Sequence, residues 1–369
     1  MVVTKDNDKR IWIDVATPKY ALFFSLMTKE LKRRGYEVLV TTRYAPNYTE
    51  AKEILELHKI PHIVLGEYGG ATLLEKFEAR IFRQKEILDL FKVRGFPKVL
   101  ICGAVVDSVQ VAYGIGIPVV NIYDAPAVSE PHDSYRNQEL TAVARLTLPF
   151  SKIFFYPFIF PKELMLRFAL DDNQIQSYPF IDVALWINKI QKDSKNDFRI
   201  RYGLDIKKPT ILIREEEYKA HYVKDKIPTI YEVIPLLKEE MEANLVIMPR
   251  YEKERLKRDF GGIATILEEK LKPEEFYPFI DLFIGGGGTM NLEAVCYGIP
   301  TISTRSIWML YDYYLVQNGL MFWTQDCKDI LKIAKENIGK KIDTKKYFVC
   351  GECNFDIIIR QIEKKILEV

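Results

Sequence analysis

A short apolar strand that runs into four consecutive glycines and then into a helix constrains this chain more than any other feature. The run spans Asp281–Ala294, and its helix opens near Thr289. Glycine is favoured where the backbone turns sharply and approaches a ligand, because it has no side chain to intervene. The first turn of the helix presents N–H groups and a positive dipole end to an anion. The run therefore predicts a phosphate site made by Gly285, Gly286, Gly287, Gly288 and Thr289.

The spacing of this glycine run excludes two common nucleotide-binding motifs. It matches neither the Gly-x-Gly-x-x-Gly motif nor a Walker loop, because Gly288 is followed directly by Thr289 and no lysine follows the glycines. Glu293 lies four residues after Thr289, on the same helix face and one turn deeper. Its carboxylate could accept both hydroxyls of a ribose whose phosphates sit on the loop. The alternative is a tight turn with a solvated glutamate, and the four glycines favour the ligand.

Length and composition indicate a folded protein of two domains. The chain has 369 residues, with 48% hydrophobic and 28% charged residues and a net charge of +2. This length exceeds what one hydrophobic core usually covers, and the composition is not that of a disordered chain. The near-zero charge and the absence of a basic stripe interleaved with aromatic residues give no support for a nucleic-acid partner.

The sequence also bears on the compartment and on metal sites. The polar start Met1–Arg10 lacks the features of a signal peptide, and no apolar stretch approaches the roughly 20 residues that span a bilayer. The five cysteines fit a reducing compartment. We expect a cytoplasmic protein without a transmembrane segment, and peripheral membrane association stays open. The single Cys350–Cys353 motif is better explained by a capped helix start than by zinc or redox chemistry, so no metal is predicted.

Strands and helices alternate through the first half of the chain. Apolar runs of this length with helical crossovers predict a parallel sheet covered on both faces. The predicted strands are Ile11–Val15, Glu37–Thr42, His62–Leu65, Lys98–Cys102, Pro118–Ile122 and Lys152–Tyr156, and the helices include Tyr20–Arg34, Glu50–His58 and Leu73–Val93.

The alternation restarts after a polar stretch, which we interpret as a linker. The second set of strands is Thr210–Arg214, Asn244–Met248, Asp281–Ile284 and Thr301–Thr304, with a helix over Pro228–Glu242. We predict an α/β fold with two Rossmann-like domains that face each other across a cleft. The predicted domains are 1–190 and 209–350, with a linker at 191–208 and a C-terminal helix within 351–369 that could cross back to the first domain.

Three arginines follow strands of the second domain. Arg214, Arg250 and Arg305 each come at or just after a predicted strand end, where ligands of open α/β sheets bind. They could surround a diphosphate beside the glycine loop without a metal or another cofactor. The alternative is that they form salt bridges with the nearby residues Glu215, Glu216 and Glu252.

The first domain carries the candidate general bases. Asp14 ends the first strand and Asp124 follows a later one, while Glu130, His132 and Asp133 lie in the next loop. A carboxylate or imidazole there could deprotonate an acceptor hydroxyl. For each residue, the alternative is a hydrogen-bonded loop or cap position. We select Asp14 and Asp124 by position, with His132 as a third candidate.

Several segments together resemble a known family. Ile284–Ala294, Gly298–Ser303, Met248–Glu252, Ile11–Asp14 with Pro18, and Tyr113–Pro118 resemble an uncharacterised, largely archaeal family with the glycosyltransferase B architecture. The glycine loop and its helix are more distantly similar to those of nucleotide-sugar glycosyltransferases and of non-hydrolysing UDP-N-acetylglucosamine 2-epimerases. The resemblance implies that Gly287, Gly288 and Thr289 hold a diphosphate and that Glu293 holds a ribose.

The same resemblance ranks the candidate functions. The epimerases carry a His-Gly-Asp-type motif and a His-Arg-x-Glu-like segment, where this chain reads Cys102–Val105 and Arg214–Glu217. We therefore expect a glycosyltransferase that uses a nucleotide-sugar donor, with a small molecule or a lipid-linked compound as acceptor. The alternatives are a nucleotide-sugar epimerase or hydrolase and a non-catalytic nucleotide- or sugar-binding protein. The nucleotide, the sugar, the acceptor and the oligomeric state are left open.

Overall fold

The computed structural model describes residues 10–46, 48–70, 72–131, 138–216, 228–250 and 252–367. The chain forms two compact units. The first consists of Met1–Ala127, Leu140–Phe180 and Glu352–Val369, and the second of Val128–Glu139 and Ile181–Gly351.

The strands and helices are numbered along the chain. The strands are β1 (Arg10–Val15), β2 (Glu37–Thr42), β3 (Ile63–Val64), β4 (Val99–Cys102), β5 (Val119–Ile122), β6 (Ala127–Ser129), β7 (Glu139–Leu140), β8 (Ile153–Pro157), β9 (Ile175–Tyr178), β10 (Thr210–Arg214), β11 (Asn244–Met248), β12 (Thr265–Ile266), β13 (Leu282–Gly285), β14 (Thr301–Ser303), β15 (Trp308–Met309) and β16 (Phe322–Trp323). The helices are α1 (Pro18–Arg33), α2 (Glu50–Leu57), α3 (Leu73–Arg94), α4 (Val106–Gly114), α5 (Ala142–Arg145), α6 (Lys162–Leu166), α7 (Ala184–Ile187), α8 (Phe198–Arg201), α9 (Thr229–Glu240), α10 (Lys253–Phe260), α11 (Pro273–Phe276), α12 (Gly288–Cys296), α13 (Leu310–Gln317), α14 (Cys327–Asn337), α15 (Lys345–Phe348) and α16 (Asp356–Ile362).

The first unit is built on a seven-stranded sheet in the order β3-β2-β1-β4-β5-β8-β9. All of its strand pairs are parallel. Strand β1 is buried along Ile11–Val15 and β8 along Ile153–Pro157, as expected where helices cover both faces of a parallel sheet. The strand order reverses between β1 and β4, which is the position where open α/β sheets commonly bind ligands.

The C-terminal helix α16 belongs to the first unit. The Phe355 ring, which precedes α16, packs edge-on against Phe23 of α1 with centroids 5.2 Å apart. Arg34 pairs with Asp356, and the Tyr36 hydroxyl donates to Glu363 at 3.1 Å. Hydrophobic packing and polar contacts together attach the end of the chain to the helix that follows β1.

The second unit is built on a six-stranded parallel sheet in the order β12-β11-β10-β13-β14-β16. Its strand order reverses between β10 and β13, so the glycine loop after β13 lies at the reversal point. A small sheet, β15-β6-β7, adds residues from the middle of the chain, and β15 pairs antiparallel with β6 through Trp308 and Ser129. The prediction of an α/β fold with two Rossmann-like domains is confirmed.

The polar stretch 191–208 is more ordered than its composition indicates. It contains a 3-10 turn, Ser194–Asn196, and helix α8, and it clusters with the second unit. Asp193 and Asp197 cap these two turns by accepting backbone N–H groups, and Phe198 is fully buried. Two aspartate caps and one buried aromatic ring order a segment that is otherwise rich in lysine and aspartate.

Candidate functional site

The glycine loop after β13 is shaped by close backbone contacts. Gly285 ends β13, and the Gly286 N–H donates to the Arg214 carbonyl at 3.1 Å. A Cβ atom at position 286 would lie 2.6 Å from Glu216 Cβ, closer than such atoms approach. The fold itself therefore requires a glycine at position 286.

Gly287 shows no such requirement. It is the N-cap of α12 with φ −109° and ψ 151°, a conformation open to any residue. A Cβ atom there would meet no atom of the described part of the chain within 4 Å. The N-cap positions of helices prefer Ser, Thr, Asp, Asn and Gly, and of these glycine alone has no side chain that could accept a helix N–H. Position 287 therefore leaves the first turn of α12 open to an external acceptor.

Arg305 lies against this first turn. A Cβ atom on Gly288 would be 3.0 Å from Arg305 Nη1, so the missing side chain leaves room for the guanidinium. Arg305 is buried and its Nη1 pairs with Asp312 Oδ2 at 2.5 Å, while the Trp323 indole donates to the Arg305 carbonyl at 2.9 Å. The Arg305 guanidinium is thus fixed beside the first turn of α12, and a positive charge next to helix N–H groups suits an anion.

The other two predicted arginines have different hydrogen-bond partners. Arg214 Nη1 donates to the carbonyls of Met248, at 3.1 Å, and of Pro249, at the end of β11. Strand β11 lies on the opposite side of β10 from β13. The Arg250 backbone N–H donates to Glu215 at 2.8 Å. The Arg305 guanidinium lies against the glycine loop and the Arg214 backbone adjoins it, and phosphate binding by all three arginines stays a prediction.

Glu293 lies inside the second unit. Its side chain is buried, Oε1 accepts the Trp186 indole N–H at 2.7 Å, and Oε2 accepts the Tyr277 hydroxyl at 2.7 Å. Burial first, and then the charge and hydrogen bond of Glu293, raise the pKa of Tyr277 well above its usual range. A solvated carboxylate, the alternative considered from sequence, is thus wrong. Ribose binding by Glu293 stays a prediction, and a ribose would have to share or displace these two donors.

Sequence reasoning missed Trp186 and Tyr277. They come from α7 and from a 3-10 turn, Tyr277–Phe279, and both precede α12 by many residues. One signal was available, because Glu293 stands among apolar residues of α12 and a buried carboxylate needs donors. Which donors supply the bonds is decided by packing.

Glu216 is a second carboxylate at the glycine loop. It lies against Gly286, and its Oε1 accepts the Ser306 N–H at 2.8 Å and the Ser306 hydroxyl at 2.7 Å. Burial raises the pKa of Glu216, although Ser306 and the charge of Arg305 partly offset this. A carboxyl group with a raised pKa beside an anion site can donate or accept a proton.

We expect Glu216→Gln to leave the fold intact and to remove a pH dependence of stability. Because the folded pKa is raised, wild-type stability should fall as the pH rises from about 4.3, the unfolded value, through the folded pKa. The glutamine oxygen can still accept from Ser306 without this ionisation cost. Thermal melts of both proteins between pH 4 and 8 test this expectation. A wild-type advantage that grows with pH would contradict it.

In the first unit, Asp14 forms a buried ion pair. Its Oδ1 lies 2.6 Å from Arg83 Nη2 and also accepts the Thr41 hydroxyl, and Arg83 Nη1 contacts Asp107 at 3.0 Å. Burial alone would raise the pKa of Asp14, but the Arg83 charge and the hydrogen bonds from Arg83, Thr41 and Ser108 lower it below its ordinary value. Full burial and a lowered pKa make this carboxylate a weak base, which disfavours the predicted general-base role of Asp14, and that role stays a prediction. Arg83, on α3, was missed from sequence.

Asp124 is held by residues at the start of α1. Asp124 Oδ2 pairs with Lys19, Oδ1 accepts the Tyr20 hydroxyl at 3.0 Å, and the Asp124 N–H donates to the Tyr20 oxygen at 3.2 Å. The Tyr20 ring packs where a side chain at Gly103 would lie. Asp124 thus stays a candidate base, held in an ion pair with Lys19.

The remaining loop candidates are less defined. Glu130 is exposed. His132 and Asp133 lie outside the described residues.

The chain matches the model of one protein family over residues 9–366. That family is described as "Protein of unknown function (DUF354)", and the chain belongs to it. An uncharacterised protein from Methanocaldococcus jannaschii is 26% identical over 350 residues, which cover 90% of this chain and 92% of that protein. The resemblance stated from sequence is thereby confirmed.

Solved structures show the same fold. A UDP-GlcNAc 2-epimerase from M. jannaschii, in complex with UDP-GlcNAc and UDP, superimposes with a TM-score of 0.70 at 18% identity and covers 90% of this chain and 93% of its own. The enzyme from Neisseria meningitidis bound to UDP-GlcNAc gives 0.69 at 17% identity, with 89% and 91% covered. The glycotransferase of kitacinnamycin gives 0.59 at 10% identity, with 96% and 95% covered. The shared fold is of the glycosyltransferase B type.

The residues that the structure describes contain neither a bilayer-spanning helix nor a cluster of metal ligands. No helix there is both long enough and apolar enough to cross a bilayer. Within the same ranges, no group of three or more His, Cys, Asp and Glu side chains could hold a metal ion.

Proposed function

We propose that this member of the family is an enzyme that binds a nucleoside-diphosphate sugar at the glycine loop and transfers the sugar to an acceptor. One observation carries the donor site: Gly287 has space in front of it and a backbone that any residue could adopt, yet it is a glycine. A ligand that approaches the backbone closely explains that choice. The similar fold of an epimerase in complex with UDP-GlcNAc and UDP supports the ligand class.

The proposed reaction is a displacement at the anomeric carbon. The bond from that carbon to the donor diphosphate breaks, a bond to an acceptor hydroxyl oxygen forms, and the hydroxyl proton passes to a base. The leaving diphosphate gains negative charge, which the first N–H groups of α12 and the Arg305 guanidinium would stabilise. Asp124 is the candidate base of the first unit, and a small molecule or a lipid-linked compound is the proposed class of acceptor.

Isothermal titration tests the donor site. We expect one of UDP, GDP, CDP and dTDP to bind, with the same affinity in the presence of EDTA. Binding of none of them would contradict the donor site, and binding that requires a divalent ion would contradict charge neutralisation by the protein alone.

Gly287→Ala tests the loop more sharply. A methyl group at this position should obstruct a bound diphosphate and weaken nucleotide binding about tenfold or more, a change of about 1.4 kcal/mol. The free energy of unfolding should change by less than about 1 kcal/mol. Alanine is a poorer N-cap than glycine, which destabilises the helix, but it also lowers the conformational entropy of the unfolded chain, which stabilises the fold. Titration and thermal melts measure the two effects.

Gly262→Ala is the matched control for this substitution. It also has open space for a Cβ atom, and it lies away from the loop, after α10. It should change neither binding nor stability. Unchanged nucleotide affinity in Gly287→Ala would mean that the glycine does not serve a ligand.

A nucleotide-sugar epimerase or hydrolase is the second candidate, and Glu216 favours it. This reaction needs groups that donate and accept protons, but it needs no second substrate to receive the sugar. The Glu216 carboxyl group, with its raised pKa, contacts the glycine loop. Incubation with UDP-GlcNAc alone, followed by NMR of the sugar, separates the candidates. Turnover without an acceptor supports the second, and an inert donor supports transfer. Nucleotide binding without turnover with any acceptor would indicate a non-catalytic binding protein.

A further inference from the structure

Helix α3 exposes a concentration of large apolar side chains. Leu73, Leu74, Phe77, Ile81 and Phe82 are 80%, 67%, 49%, 54% and 59% exposed, and all five lie in the first half of this 22-residue helix. Single exposed apolar residues are common on soluble proteins, but a contiguous group of this kind marks an interaction surface.

Three of the exposed side chains form a stripe separate from the face that packs on the unit. Arg83, Ile87 and Phe91 point inward at fourth-residue spacing and are fully buried. Leu74, Phe77 and Ile81 follow the i, i+3, i+7 spacing of another face, whereas Leu88, one heptad further on, is partly buried and packs against the core. Helix α3 therefore has two apolar faces, and one of them faces outward.

The charges beside this stripe favour a second copy of the chain over an anionic membrane as its partner. The charged residues around the stripe are three acidic and three basic, so the stripe has no net charge to attract an anionic membrane: Glu75, Lys76, Glu78, Arg80, Lys85 and Glu86. Two exposed charged residues lie on one flank of the stripe. The acidic Glu78 is nearer the start of α3, and the basic Lys85 is nearer its end. Such a flank is complementary to itself when two copies of the helix run antiparallel.

We propose that the exposed stripe of α3 is the interface of a symmetric dimer of this chain. A two-fold axis at Ile81 brings the two Ile81 side chains together and places Glu78 beside Lys85 of the second copy. The Ile81 contact lies on the axis, and the symmetry makes the Glu78–Lys85 contact twice. Two-fold interfaces in which one surface meets itself are the commonest form of protein oligomer.

Sedimentation velocity of the full chain tests the dimer. Wild-type protein should sediment as a dimer at micromolar concentration. Ile81→Glu places two carboxylates against each other on the axis and should weaken the dimer by about 100-fold or more. Val93→Glu is the matched control, because Val93 is an 85% exposed apolar residue of the same helix that lies off the stripe. It should leave the dimer intact.

A charge exchange tests the orientation of the two helices. Glu78→Lys and Lys85→Glu should each weaken the dimer, because each sets like charges side by side, and the double variant should restore it. A wild-type monomer at about 100 µM, or an Ile81→Glu protein that dimerises normally, would overturn the proposal. So would a wild-type monomer that binds vesicles of phosphatidylcholine and phosphatidylglycerol through the same stripe. Failure of the charge exchange alone would overturn the antiparallel arrangement.

Discussion

Arg83→Met is expected to destabilise the first unit by about 3–5 kcal/mol, the usual consequence of removing one partner from a buried ion pair. Arg83 and Asp14 are fully buried, and the guanidinium also contacts Asp107 at 3.0 Å and the Leu65 carbonyl at 2.8 Å. Methionine fills a similar volume but leaves two carboxylates without their cation. Urea denaturation followed by circular dichroism and by the fluorescence of Trp12, which lies in the core of the first unit, measures the loss.

The loss should depend on pH. The pKa of Asp14 is lowered in the folded protein, so the stability from its ionised form is present above the unfolded value of about 3.9 and is lost as the pH falls through the folded pKa. The difference between wild type and Arg83→Met should therefore shrink in acid. Arg94→Met, in the exposed last turn of the same helix, is the matched control and should cost less than about 1 kcal/mol. Equal costs for the two variants would show that the buried pair contributes little.

Glu293→Ala is expected to destabilise the second unit by about 3 kcal/mol or more. The substitution removes the acceptor of two buried donors, the Trp186 indole and the Tyr277 hydroxyl, each 2.7 Å from a carboxylate oxygen. Hydrogen bonds to a charged group contribute roughly 1.5–3 kcal/mol each, and donors left unsatisfied add a desolvation cost. Thermal and urea denaturation measure the loss, and Glu239→Gln, on an exposed position of α9, is the control.

Glu293→Gln separates the structural role of this residue from the predicted ribose contact. Because the wild-type carboxylate is buried and hydrogen-bonded, we expect the melting temperature of Glu293→Gln to fall, which a residue on an open surface would not show. If Glu293 also binds ribose, nucleotide affinity should decrease by about 1.5–3 kcal/mol below the melting transition. If the destabilised variant binds nucleotide with wild-type affinity, Glu293 does not bind the ribose.

The fold and the glycine loop were predictable from local sequence. Continuous apolar runs such as Ile11–Val15 and Leu282–Ile284 are typical of strands buried on both faces, and alternation with helices leads to parallel sheets. The four glycines marked the turn before α12, and the helix begins at Gly288, one residue before the predicted start. These features depend on residues close together in the chain, which a sequence displays directly.

The partners of the charged residues were not predictable in the same way. Asp14 is at the end of a strand, where ligands bind, yet its carboxylate is neutralised by Arg83 from a helix far along the chain. Arg214 and Arg305 both occur near strand ends, but only packing directs Arg305 to Gly288 and Arg214 to the carbonyls after β11. Position at a strand end indicates an edge of the sheet, and it does not indicate which neighbour satisfies the charge.

By itself the sequence determined where most central strands of the two sheets lie and that a glycine-lined helix start follows β13, because apolar periodicity and glycine's lack of a side chain act over a few residues. Tertiary structure alone decided that Glu293 is bonded to Trp186 and Tyr277, that Asp14 is paired with Arg83, and that the first half of α3 is exposed. The physical reason is that a buried charge needs hydrogen-bond donors and an apolar face needs other apolar groups to pack against. The fold can bring these partners from any distance along the chain.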